Sequence, residues 1–280
     1  MAEQLKGQVA IITGASRGIG LVIGKALAAN GVAVALVARS QEAVQAAAKS
    51  IQTAGARAIG LSADVTDPRA VVSMVKEAVQ QLGPVDLLVN NAGSVTALGP
   101  VWEVDPDTWW GDVTTNLRGT FLCTHAVLPS MIARRRGRVV NVVSSFGMQT
   151  SPQSTPSPYA SAYSSSKAAV IVFTQNVAAM TKDHGVHVFG LRPGFVRTAL
   201  LEDGARSPAG RRWLPEIQAL LDSDRLVPPE HAARWTLFLA SGVADKLSGR
   251  VFSVSHDIDT LVKRTDDIQR EGRHMLRLCD

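Results

Sequence analysis

Tyr163 and Lys167 are the two residues whose types and spacing point most directly to chemistry. Four residues apart on a helix, they share a face one turn from each other. A phenol, with an ordinary pKa of about 10, exchanges protons poorly at neutral pH. A neighbouring ammonium favours the phenolate, so Lys167 is expected to lower the pKa of Tyr163. The pair is a candidate acid/base unit. Spacing alone does not separate it from a charged pair on any helix surface.

Two glycine-bearing stretches give the pair a context. Thr13-Gly14-Ala15-Ser16-Arg17-Gly18-Ile19-Gly20 follows the short apolar run 9–13 and precedes a helical pattern. Glycines between a strand and a helix allow a tight turn and let a phosphate approach backbone N–H groups at a helix N-terminus. The spacing is Gly-x-x-x-Gly-x-Gly. Asn90-Asn91-Ala92-Gly93 follows another apolar run, 85–89. Strand ends of this kind line the ligand crevice of an open α/β sheet.

The elements that must position these residues alternate along the chain. Apolar runs at 9–13, 32–37, 56–61, 85–89, 138–143, 186–191 and 250–254 read as buried parallel strands. Helical patterns lie between them at 19–30, 41–53, 67–82, 105–135, 162–179 and 228–239, several opened by Pro or closed by Gly. The alternation predicts an α/β fold: a single-domain, Rossmann-like, doubly wound parallel sheet with helices on both faces. Residues 151–161, packed with Ser and Pro, read as a loop. Residues 195–227, irregular and containing Gly and Pro, read as a mobile lid with room for short helices. The domain is expected to span 1–255, followed by an extension at 256–280. In that extension Ile258, Leu261, Val262, Thr265 and Ile268 recur at helical spacing. Asp257 or Asp259 is placed to cap this helix and Gly272 to stop it.

The chain has 280 residues, 46% hydrophobic and 19% charged, with a formal net charge of +5. That length supports a full core. The basic residues are scattered, and the one dense run, 134–138, ends a helical pattern, where cations suit the helix dipole. No nucleic acid is expected as a partner. No apolar run reaches membrane-spanning length, so no membrane is expected either. Cys123 and Cys279 lie far apart and match no metal spacing; no metal site is expected, and a reduced, cytoplasmic setting is. The polar start, 1–7, lacks the apolar core of a secretion signal.

Taken together, the chain resembles the classical short-chain dehydrogenase/reductase family over roughly residues 7–255. The glycine octet, Asn-Asn-Ala-Gly, Asn116 in Thr115-Asn116-Leu117, Ser144 in Asn141-Val142-Val143-Ser144-Ser145, Tyr163 with Lys167, and Arg192-Pro193-Gly194 occur in the family's order. The resemblance implies a nicotinamide cofactor and hydride transfer between a ketone or aldehyde and an alcohol. It implies that Tyr163 exchanges the proton of the substrate oxygen and that Ser144, rather than Ser145, holds that oxygen. Lys167 would bond the nicotinamide ribose, and Asn116 would anchor a water leading from Lys167 to solvent. Carried over in the same way, the cofactor-binding positions are Gly14, Ser16, Arg17, Gly18, Ile19, Gly20, Arg39, Asp64, Val65, Asn91, Ala92, Gly93, Tyr163, Lys167, Pro193, Gly194, Val196 and Thr198. Two departures stand out: more residues than usual separate Ser144 from Tyr163, and the ending lacks the family's glycine-rich close.

The cofactor follows from the second strand. An acid at its end would bond an adenosine 2′-hydroxyl. Here the strand ends Val37-Ala38-Arg39-Ser40, and an arginine fork suits a 2′-phosphate. With Arg17 nearby, NADP(H) is favoured over NAD(H). The expected partners are a small carbonyl or alcohol substrate and further copies of the chain. Val127, Met131, Val170, Phe173 and Val177 were the apolar surface expected for that pairing. Trp102, Trp109, Trp110 and Trp213 are candidates for an apolar pocket. The alternative function is a cofactor-binding protein of the same fold that acts through protein or RNA contacts.

Overall fold

The computed structural model describes residues 2–148 and 158–276. Its centre is one sheet of seven parallel strands in the order β3-β2-β1-β4-β5-β6-β7. In chain order, the short helix α1 (Ala2–Leu5) precedes β1 (Val9–Thr13), α2 (Gly18–Ala29), β2 (Ala33–Ala38), α3 (Gln41–Thr53), β3 (Ala58–Ser62), α4 (Pro68–Leu82) and β4 (Leu87–Asn90). The second half holds α5 (Pro106–Val113), a π-turn at Thr114–Arg118, α6 (Gly119–Ala133), β5 (Gly137–Val142), α7 (Ser161–Thr181) and β6 (Val186–Arg192). Three short helices follow, α8 (Ala199–Arg206), α9 (Pro208–Trp213) and α10 (Pro215–Leu221). Then come α11 (Pro229–Ala240), β7 (Val251–Ser253), α12 (Ile258–Lys263) and α13 (Thr265–Glu271).

The strands are apolar runs because both faces of the sheet are covered. One face packs Ile12, Val34, Leu36, Val140 and Phe189 against α2, α3 and α11. The other packs Ile11, Ala35, Leu88, Val139 and Val188 against α4, α6 and α7. Helix starts are fixed locally: Ser40, Asp67 and Asp105 accept hydrogen bonds from first-turn N–H groups of α3, α4 and α5. Helix α2 differs, since Arg17 at its N-cap makes no side-chain cap.

Strand order reverses between β1 and β4. A doubly wound sheet opens its crevice at such a switch point, outside the strand ends. The glycine octet leaves β1 and Asn-Asn-Ala-Gly leaves β4 at this place.

Several expectations change. The long helix expected at 105–135 is two helices joined by the π-turn, with Asn116 in the turn. The irregular stretch 195–227 holds short helices, as its reading allowed: three, two of them opened by proline, which suits a first helical position. The Ser/Pro stretch 151–161 lies mostly outside the described residues. The tail forms two helices that break at Arg264. Asp257, not Asp259, caps the first at 2.8 Å, and Gly272 ends the second with φ +61°. Ile258, Leu261 and Ile268 are buried in the body's core. Beyond them, Val251 N donates to His274 O at 2.8 Å. The last residues of the extension, 277–280, lie outside the described residues.

The apolar surface expected for self-association is also corrected. Val127, Met131, Val170 and Val177 are core residues, and Phe173 is partly buried. Both faces of the sheet are helix-covered, so α6 and α7 turn their most apolar face inward. Their exposed faces carry Phe121, Val172 and Met180 instead.

Candidate active site

The crevice is built by interlocking β1 and β4. Thr13 Oγ1 accepts from Asn91 N and Ala92 N, both at 3.0 Å. Asn91 Nδ2 donates to Thr13 O at 2.9 Å and Gly14 O at 3.1 Å. The Asn91 side-chain NH₂ and backbone N–H therefore both tie the two strand ends together. Gly14 has φ +63°, and a Cβ there would stand 2.9 Å from Ala92 Cα, so no other residue fits without a shift. Beneath the site, Asn90 Nδ2 donates to Asn141 Oδ1, and Asn141 Nδ2 donates to Thr174 Oγ1, each at 2.9 Å. This buried chain links β4, β5 and α7, and aligns the strand end bearing Ser144 with the helix bearing Tyr163.

Tyr163 and Lys167 fall on the first turns of α7, facing the sheet. Lys167 is 4% exposed, and its Nζ donates to Val142 O at 2.8 Å while lying 5.7 Å from the centroid of the Tyr163 ring. Ser144 ends the strand segment, caps a short turn by accepting from Phe146 N, and hydrogen-bonds the Tyr163 hydroxyl. Gly147 brings this turn close: a Cβ there would stand 2.6 Å from Ala168 N. Ser144, Tyr163 and Lys167 thus meet although part of the connecting chain lies outside the described residues.

The electrostatics differ from the sequence expectation. Burial raises the Tyr163 pKa, the Ser144 hydrogen bond opposes the rise, and the negative charge of Asp112 adds to it. Burial also depresses Lys167, from 10.5 to about 8, and its Nζ is directed to Val142 O. The phenol is held protonated.

Asn116 is fully buried in the π-turn. Its Oδ1 accepts from Ser94 N at 2.8 Å, and its Nδ2 donates to Ser94 O at 2.9 Å and Ser166 Oγ at 3.0 Å. Both amide hydrogens of the side chain are engaged, and the backbone carbonyl accepts from Thr120 Oγ1. Gly93 borders this group, and a Cβ there would stand 3.2 Å from Asn116 Oδ1 and 3.8 Å from Lys167 Nζ.

The remaining positions ring the crevice. Gly18, Ile19 and Gly20 form the uncapped first turn of α2, with Ser16 just before it. Its free N–H groups and positive dipole end fit a pyrophosphate. Arg39 is exposed at the end of β2 and forms no ion pair among the described residues. Asp64 accepts from Thr66 N and Oγ1; desolvation opposes these bonds, but together with Arg39 they hold its carboxyl below the ordinary value. Val65 is buried against Gly119. Pro193 and Val196 are buried, Gly194 has φ +74°, and Thr198 caps α8 directly over Gly18. Arg17 reaches from the turn toward Asp203 of α8, 3.9 Å away. These residues fit a dinucleotide.

An apolar cluster lies beside Tyr163. Phe146 meets Tyr163 and Phe195 edge-on at 6.0 and 6.1 Å, and Trp213 lies against Tyr159 at 4.9 Å. Of the tryptophans expected to line a pocket, Trp213 borders this cluster. Trp109 donates to Ser161 Oγ, while Trp102 and Trp110 are exposed. Sequence reasoning missed Asp112, whose buried carboxylate underlies the loop after Gly93. An aspartate in a helical pattern reads as a solvated residue, and only the fold reveals what covers it. Among the described residues, no group of His, Cys, Asp or Glu could hold a metal. No described helix is long and apolar enough to cross a membrane.

A sequence profile described as short chain dehydrogenase matches residues 8–207. A short chain dehydrogenase of Pseudocercospora fijiensis is 38% identical, over 79% of this chain and 71% of its own. A 3-oxoacyl-[acyl-carrier-protein] reductase of Synechocystis is 34% identical, over 89% and 96%. A gluconate 5-dehydrogenase from Burkholderia cenocepacia, solved with NADP and tartrate, is 28% identical with a TM-score of 0.77, over 90% and 96%.

Proposed function

The chain belongs to the short-chain dehydrogenase family and is an oxidoreductase acting on CH–OH groups. On that premise we propose that it uses NADP(H) to interconvert a ketone or aldehyde with its alcohol, with Tyr163 as acid/base. The observation that carries this reading is the Ser144–Tyr163–Lys167 group, assembled beside an uncapped helix start at the switch point.

The cofactor, when bound, supplies or accepts the hydride. In reduction, the protonated Tyr163 hydroxyl gives its proton to the carbonyl oxygen, and Ser144 holds that oxygen beside it. Proton donation by a positioned group contributes about 10²–10⁴ in rate. Lys167 stabilises the phenolate left behind and bonds the nicotinamide ribose. Asn116 holds Ser94 and Ser166 in place and offers its backbone carbonyl to the water that returns a proton toward Lys167. Gly14, Ser16, Arg17, Gly18, Ile19 and Gly20 take the phosphates, Arg39 with Arg17 the 2′-phosphate, and Asp64 and Val65 the adenine. Asn91, Ala92, Gly93, Pro193, Gly194, Val196 and Thr198 flank the nicotinamide half. Burial of the phenol suits neutral-pH reduction better than oxidation. The substrate is a small carbonyl compound with an apolar body, facing Phe146 and Phe195. Residues 1–255 form the catalytic domain, with 195–227 as its lid. The exposed Phe121, Val172 and Met180 make self-association through α6 and α7 the natural assembly, and the setting is cytoplasmic.

The test is NADPH oxidation with acetone, cyclohexanone, ethyl acetoacetate and acetophenone, for wild type and Tyr163→Phe. The variant should bind NADPH as wild type does, by fluorescence, and lose at least about 100-fold in turnover. Turnover within about ten-fold of wild type would remove Tyr163 from the chemistry.

A further inference from the structure

Two aspartates are buried among the described residues. Asp86 has cationic partners, Arg134 at 2.9 Å and Arg136 at 3.1 Å. Asp112 is 1% exposed and has none within ion-pair distance among the described residues. An isolated buried carboxylate is costly, so it persists only where donors surround it. Asp112 takes four hydrogen bonds, all from one short loop. Ser94 Oγ and Thr96 Oγ1 donate to its Oδ1 at 2.5 and 2.8 Å; Thr96 N and Ala97 N donate to its Oδ2 at 2.7 and 2.9 Å.

That loop borders the reacting groups on both sides. Asn116, one turn after Asp112 and on the same face, grips the backbone of Ser94 while Asp112 grips its hydroxyl. Gly93, at the loop's start, lies beside Lys167 Nζ. Val95, in its middle, packs in the apolar cluster with Phe146, Tyr163 and Leu201, near Gly204 of α8. An apolar residue at position 112 would leave two backbone N–H groups of the loop without partners.

We infer that Asp112 is a positioning residue for the reaction: its carboxylate fixes loop 94–97 between the lid and the Lys167–Tyr163 pair. This rests on the reading of Tyr163 as acid/base. Ser144 hydrogen-bonds the Tyr163 hydroxyl, Lys167 lies on the same helix, and the negative charge of Asp112 also reaches it. Of these Asp112 alone is an anion, and an anion disfavours the phenolate.

The test separates charge from anchoring. In Asp112→Asn the amide oxygen faces the two backbone N–H groups, and the NH₂ faces two hydroxyls that rotate to accept, so the loop keeps its partners without the charge. In Asp112→Leu both are lost. The chain has two tyrosines, Tyr159 and Tyr163, so phenolate absorbance of any variant minus the same variant with Tyr163→Phe isolates Tyr163 without substrate. The expected result is that Asp112→Asn, which keeps the loop's partners, holds kcat with the best ketone of the panel within about three-fold of wild type. In Asp112→Leu, kcat falls about ten-fold or more, a loss typical of a misplaced catalytic group, and the Tyr163 midpoint departs from that of Asp112→Asn. Wild-type kcat in a folded Asp112→Leu overturns the inference, as does a Tyr163 midpoint equal in the two variants. If Asp112→Leu does not fold, Asp112→Ala is read in the same two ways. Retained turnover in Tyr163→Phe would be a different failure, that of the acid/base assignment itself.

Discussion

Replacing Lys167 with Met should make the protein more stable at neutral pH while stopping its chemistry. Lys167 is buried with its pKa depressed from 10.5 to about 8. At about 1.4 kcal/mol per pH unit, holding that ammonium in the folded state costs roughly 3 kcal/mol at pH 7. The sign follows from proton counts. Between about 8 and 10.5 the unfolded chain binds more protons than the folded one, so wild-type stability from this group rises with pH across that window. By pH 10 the cost is below about 1 kcal/mol. Methionine has a similar length and no charge, but it leaves Val142 O without the lysine's hydrogen bond, at about 1 kcal/mol. The net gain is about 2 kcal/mol at pH 7, or about 4–8 °C in melting temperature, shrinking to nothing near pH 10. Thermal unfolding of both proteins without cofactor at the two pH values measures it. A variant that melts below wild type at pH 7, or an advantage that does not shrink by pH 10, refutes the account of a desolvated ammonium.

Other expectations can be checked singly. Arg39→Asp should move the ratio of NADPH to NADH efficiency toward NADH by ten- to a hundred-fold, since a charge-assisted bond contributes about 1.5–3 kcal/mol; an unchanged ratio places the 2′-phosphate elsewhere. Gly147→Ala drives a Cβ to 2.6 Å from Ala168 N and should lower stability by about 1–3 kcal/mol and cut turnover, read by denaturant melts and NADPH oxidation. Truncation after Asp257 removes the buried Ile258, Leu261 and Ile268, about 1.5–3 kcal/mol each, and should leave little folded protein by circular dichroism. Phe121→Glu should shift the light-scattering mass toward the monomer without loss of helicity, as Phe121 is 45% exposed.

Much of the fold was legible because parallel strands covered on both faces are written as apolar runs. All seven runs became strands, with ends displaced by a residue or two. What misled was orientation and local polarity. Pro208 and Pro215 marked their stretch as irregular, and each opens a short helix whose bounds the sequence did not show. Val127, Met131, Val170 and Val177 form an apolar helix face, and a face does not state whether a sheet or a neighbouring copy covers it. In the site, the residues that meet at the switch point could be named, but their electrostatics could not. The four-residue spacing of Tyr163 and Lys167 brings an ammonium near a phenol, whereas the burial of both, and Asp112 beneath the loop, arise only from the tertiary packing.

The contact between Val251 and His274 bears on how the chain stays separate from its own copies while folding. β7 is the last strand of the sheet, three residues long and carrying Val251 and Phe252. A bare edge of this kind is a template on which another chain can add a strand. The chain's own return to the edge occupies a donor of that template, with His274 O on Val251 N and the His274 ring against Phe252. The tail therefore works as a guard against edge-to-edge aggregation, and a chain shortened before it should be lost to insoluble assemblies as well as to unfolding.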